Sequence, residues 1–292
     1  MGDGRGDAVL STYRSLRLGA VILMVALAVA VLIASVVDGC VQSSISAYYF
    51  TSAHTVFVAA LCALGVCLIV YKGSSDTEDV LLNFAGFLAF IVAVVPTAGG
   101  ASCGPAGPLA GGGGSPDGLP EGVRTSVGAI VVAGALAQVV ALMIARRDPG
   151  GRPYRAAARW ATGAGWVVLA AGAACFLFVP DAFAAHGHSV AAVAMFAGLI
   201  GVVVASATSA SYTAGASTYG RFYRVIARWM LATLTVIVVV RYAFPDWEHY
   251  VIVVEFLLIA QFVAYWLVQT VELWNVVDRT DLYPAGQGPP ML

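Results

Sequence analysis

Charge is what this chain has least of. Only 11% of its 292 residues are Asp, Glu, Lys or Arg, against 60% apolar, whereas charged residues reach about 25% in soluble domains. With a strongly positive mean hydropathy, that scarcity excludes an ordinary water-soluble protein. Lysine is almost absent, Lys72 standing alone beside the arginines. Because Lys72 falls at the end of an apolar run, a retinal Schiff base inside a helical bundle is excluded. A formal net charge of −1 offers no basic surface, and no nucleic-acid partner is expected. Cys-x-x-Cys, His-Glu-x-x-His and Gly-x-x-x-x-Gly-Lys are all missing, which removes thioredoxin-type, zincin and P-loop chemistry. No span carries a regular row of charges, and none contains a Gly-rich filter of the potassium-pore kind. Neither an inverted repeat nor a discontinuous helix pair marks a secondary transporter.

What is present is apolar sequence in blocks of about 20 residues, the length that crosses roughly 30 Å of hydrocarbon. Eight blocks stand at 18–37, 54–71, 79–96, 127–145, 161–180, 189–208, 226–244 and 250–272. They are expected to be helices, since an open sheet leaves backbone polar groups unpaired in lipid. The expected fold is all-α, a polytopic membrane bundle of eight transmembrane helices with N- and C-termini cytoplasmic. Its parts are a tail at 1–17, a transmembrane domain at 18–272 and a second tail at 273–292. With the N-terminus inside, the cytoplasmic segments hold thirteen of the fifteen Lys and Arg residues. The outer loops keep Arg124, and Arg241 lies within a helix, as the positive-inside rule asks. The first block reads as a span, being too long for a signal-peptide core and lacking a small-x-small cleavage site. Gly128, Gly134, Gly163, Gly165, Gly172, Gly198 and Gly201 run through blocks four to six, where small residues let helices approach closely.

The Gly/Pro-rich stretch 97–126 is expected to be an outer surface loop. Cys40 and Cys103 both fall outside, where a disulfide persists; Cys62, Cys67 and Cys175 fall within spans. In the turn "YKGSSDTEDV", Gly73 suits a helix C-cap, and Ser75 with Glu78 forms a capping box opening the third span. In "SISAYYFTSAH", residues 44–54, Tyr48, Tyr49 and Phe50 suit the aromatic belt at the membrane surface, and Ser52 suits the cap of the second span.

Two constellations carry potential chemistry. His54, His186, His188 and His249 share the outer side with Asp38, Asp181, Asp246 and Glu248. His and carboxylate ligate zinc, and three of them with an open position make a catalytic site. No helical His pair supports this, the His186-x-His188 pair being placed in a loop, so no cofactor is expected and zinc is the metal to test. Arg241 and Glu255 lie equally far from Glu248 in the hairpin turn "FPDWEHY", at similar depth. Intramembrane charges pair or line a cavity, so the two form either a helix-locking ion pair or a substrate or proton site. Asn83, Gln138 and Gln261 are the other buried polar candidates, as interhelical glue or the walls of a polar cavity.

Residues Tyr48, Tyr49, Thr51, Phe57, Val58, Leu61, Gly65, Leu68, Tyr71, Lys72 and Gly73 form a YYxT…FVGxLxxxGxxLxxYKG pattern. It is followed by Asn83, Ala85, Gly86, Pro96 and Thr97 in the third span. On these residues the chain resembles a group of uncharacterised bacterial multi-pass membrane proteins, departing at Ala59 and at His54-Thr55. The resemblance extends to "RFYRVIARWM" and to the last span with Glu255 and Trp266. It implies a multi-pass protein of a bacterial plasma membrane and brings no activity. Ser52 and His54 give a distant likeness to ceramidase and adipoQ-receptor type membrane hydrolases, whose HxxxH pair is missing here. Three function classes remain open: a non-catalytic membrane or accessory protein, a transporter or lipid-handling protein with a polar cavity near Glu255, and an outer-face metal-dependent hydrolase. The expected partners are the bilayer and bound lipid.

Overall fold

The computed structural model describes residues 3–97, 103, 119–147, 156–212, 217–244, 247, 249–277 and 279–282. Among these there is no strand. Eight α-helices follow one another: α1 (Asp3–Val37), α2 (His54–Val70), α3 (Asp76–Val94), α4 (Glu121–Arg147), α5 (Ala156–Phe178), α6 (Pro180–Ser209), α7 (Ser217–Ala243) and α8 (Tyr250–Glu272). Short 3-10 turns lie at Ile45–Phe50, Ala210–Tyr212 and Arg279–Leu282. Five stretches, in α1, α3, α4, α6 and α8, are long and apolar enough to cross a membrane.

Arg17 in the first half of α1, residues near the starts of α3 and α7 and residues near the ends of α2, α6 and α8 meet at one end, with the segment that follows α8. The start of α8, the 3-10 turn and the end of α3 mark the other. Neighbouring helices pack in the order α1, α2, α3, α6, α7, α8 and back to α1, a closed ring of six. The α4–α5 hairpin leans on the outside of α3 and α6. Its Val132, Leu136, Val139, Val167 and Leu177 are exposed. That is where hydrocarbon rather than water is the natural solvent.

Local chemistry explains the breaks. α5 passes into α6 through Val179 alone, and Pro180 opens α6, where its missing N–H costs nothing. This corrects the expected loop before the sixth span: His186 and His188 both lie in α6, two residues apart and on different faces. Ser75 caps α3 by accepting from the Glu78 amide at 3.2 Å, but the reciprocal half of the capping box is not made. The Glu78 carboxylate instead accepts from the Ser74 amide. Gly73 is no left-handed C-cap, since Gly39 alone among the described residues has positive φ. It is needed because a Cβ there would lie 2.5 Å from the Glu78 Cβ. Ser52 caps nothing: Ala53 is the N-cap of α2 and has no side-chain bond.

Candidate functional site

The stretch 44–50 folds inward rather than along the surface. Ser44 caps a 3-10 turn by accepting from the Ala47 amide at 3.1 Å. Ile252 at the start of α8 donates its amide to the Ser43 carbonyl at 3.0 Å. Tyr48 is fully buried, its hydroxyl bonded to the Ser35 hydroxyl and accepting from the Gln42 amide. It is a core residue and not part of an aromatic belt. Cys40 and Cys103 are joined in a disulfide beside this turn, and the buried Gln42 donates to the Cys103 carbonyl at 2.8 Å.

The turn brings polar groups to an acid of α8. Glu255, in the second turn of α8, accepts the Ile45 amide at 2.6 Å, with the Ser46 hydroxyl as second donor. Behind it lies a cavity of about 60 Å³ inside the helix ring, bounded by α1, α2, α3, α6, α8 and the 3-10 turn. Leu61 and Leu64 of α2, Met195 and Leu199 of α6, and Phe262 of α8 wall it. Among the described residues lining it, Glu255 and Ser46 alone are polar. α6 shows why the space exists. Gly198 and Gly201 face α3, where a Cβ would press on Phe84 and Leu81. The Ala192–Met195–Phe196–Leu199 stripe turns to the cavity at helical spacing.

The other candidate residues scatter. The Arg241 side chain, Asp246 and Glu248 lie outside the described residues; the described partners of Glu255 are Ile45 and Ser46. Asn83 is exposed on α3. Gln138 packs over Gly165, joining α4 to α5, and Gln261 donates to Thr233 at 2.9 Å, joining α8 to α7. None of the three lines the cavity, which is therefore apolar rather than polar. The histidines share one end but bond separately to carbonyls: His54 to Tyr49 at 2.7 Å, His188 to Val95 at 2.6 Å and His249 to Val41 at 3.1 Å. His186 is exposed. Among the described residues no three His, Cys, Asp or Glu side chains form a metal-holding group.

At the opposite end sits a cluster that the sequence did not announce. Arg279 is fully buried. Its guanidinium meets Glu272 at 2.9 Å and Glu78 at 3.1 Å and lies over the Tyr223 ring. Tyr223 donates to Glu272 at 2.5 Å, and Ser206 donates to Glu78 at 3.1 Å. Burial opposes the Arg279 charge, but the Glu78 and Glu272 carboxylates, with Tyr223, outweigh it and hold its pKa well above the ordinary value. Arg17, also fully buried, donates to the Leu273 and Val277 carbonyls at 2.7 Å each. Both arginines are among the thirteen basic residues expected on the cytoplasmic side. They are clasps that seat segment 273–282 against α1, α3 and α7.

Compared with family models, with curated proteins and with solved structures, the chain matches none. The reading of its function therefore rests on geometry.

Proposed function

We propose that the chain is a non-catalytic, lipid-handling membrane protein whose helix ring seats a short apolar part of an amphiphile, with the amphiphile's polar end at Glu255. It threads the bilayer eight times with both termini cytoplasmic, in the bacterial plasma membrane that the resemblance implies. The observation that carries this is an apolar cavity ending at one carboxylate. Inside a bilayer that apolar part gains little by leaving lipid, because acyl chains are as apolar as leucine. Selection then falls to the polar end, where Glu255 and Ser46 favour a group that donates a hydrogen bond, a hydroxyl or an amine. The separate carbonyl bonds of the histidines lend no support to the hydrolase reading.

Native mass spectrometry of protein purified in mild detergent tests the proposal. The wild type is expected to carry an amphiphile that Leu61→Trp, which fills the cavity, expels. Glu255→Gln is expected to hold it more weakly, with the fold intact by gel filtration. Equal lipid content in the wild type and Leu61→Trp would refute the reading.

A further inference from the structure

A second site lies at the far end of the molecule, where the segment that follows α8 is seated. Between α6 and α7 opens a groove of about 370 Å³, and its walls divide by chemistry. Arg224 and Arg228 of α7 supply the charge; Val204 of α6 and Leu231 of α7 supply apolar surface. Arg224, Arg228 and Leu231 follow at i, i+4 and i+7, one stripe along the helix. Both guanidiniums are exposed, and no acidic partner within ion-pair distance is found for either among the described residues.

We propose that this groove binds the phosphate of an anionic phospholipid, gripped between Arg224 and Arg228. Two like charges four residues apart on one face repel, and an anion between them turns that repulsion into attraction. Guanidinium forks match phosphate oxygens in paired hydrogen bonds. The neighbouring hydroxyls are already committed: Thr208 donates to the Val204 carbonyl at 3.1 Å and Ser211 to the Thr208 carbonyl at 2.6 Å. Among the described lining side chains, the donors left for an anion are the arginines.

Depth distinguishes a lipid from free phosphate. Arg224 lies seven residues into α7, about 10 Å from its start, and Leu231 lies about as far again beyond it. Leu231, Val204 and the neighbouring Trp229 are all exposed, so acyl chains hanging from the phosphate would run down an apolar wall. The proposed orientation places this groove in the cytoplasmic leaflet, where anionic lipids attract juxtamembrane basic residues. The site is independent of the Glu255 cavity, on which no part of it depends.

The test compares retention of phosphatidylglycerol and phosphatidylcholine by the full chain in native mass spectrometry. Wild-type protein is expected to prefer phosphatidylglycerol. In R224Q/R228Q that preference is expected to fall on the order of tenfold, as loss of two juxtamembrane basic side chains implies, while phosphatidylcholine retention is unchanged. R224K/R228K, which keeps the charge but loses the fork, is expected to fall between them. It carries the test if the glutamine variant fails to fold. A preference unchanged in either double variant overturns the proposal. Displacement of phosphatidylglycerol by millimolar orthophosphate also overturns it, assigning the arginines to a free anion instead.

Discussion

Arg279, Glu78 and Glu272 have side chains at most 2% exposed, and both carboxylates are paired to the one guanidinium. Removing one partner strands the rest, which costs about 3–5 kcal/mol in buried ion pairs. Arg279→Gln is therefore expected to lower thermal stability in detergent by that amount. Neutralising the cluster together, as E78Q/E272Q/R279M, should cost much less. A loss under about 1 kcal/mol for Arg279→Gln would mean that the cluster is wetter than the structure shows. Gly73→Ala belongs to the same site, since its methyl would collide with the Glu78 Cβ. Only a fragment of this was legible in the chain. The Ser75–Glu78 spacing announced a helix start, which is local and correct for Ser75. The Glu78 carboxylate answers to Arg279, 201 residues away, and no local pattern points across that distance.

Helix pairs show the same division between local and distant signals. The apolar blocks mark where helices lie because backbone satisfaction in lipid is a local demand. Which glycines make contacts is decided by neighbours. Gly134, Gly165, Gly198 and Gly201 face side chains of other helices, while a Cβ on Gly128, Gly163 or Gly172 would meet nothing within 4 Å. Among the described glycines the tightest approach to another helix's backbone is elsewhere, where α2 crosses α3. A Cβ on Gly86 would lie 2.7 Å from the Gly65 carbonyl, and one on Gly65 would lie 2.8 Å from the Gly86 carbonyl. Gly86→Val is thus expected to cost about 1–3 kcal/mol by overpacking, and Gly172→Ala to stay within about 0.5 kcal/mol, both by thermal melting in detergent. Equal effects would refute the sorting. The Cys40–Cys103 bond ties the chain just past the end of α1 to the 97–126 segment. Alkylation at both positions is expected only after reduction, and a free thiol at either in unreduced protein would contradict the bond.

At the scale of the whole molecule, charge asymmetry gives direction and packing gives the ring. The proposed threading places Ser52 and Asp281, both exposed, on opposite sides of the membrane. Cysteine at position 52 should react with a membrane-impermeant maleimide on intact cells, and cysteine at position 281 only after permeabilisation. The reverse pattern, or labelling of both, would contradict the orientation. The ring itself was not readable from the blocks, because α1 closing on α8 and α3 meeting α6 are contacts between segments far apart in sequence. Glu255 could be singled out as an intramembrane acid, but its described donors come from a turn that looked like surface. The cavity behind it is built from leucines, methionine and phenylalanine that look like any lipid-facing residues. Most direct for the central claim is a high-resolution density map of the protein in lipid nanodiscs. The account predicts ligand density entering between Leu61, Met195 and Phe262 with its polar end at Glu255; a cavity holding only water, or closed by its own side chains, would contradict it.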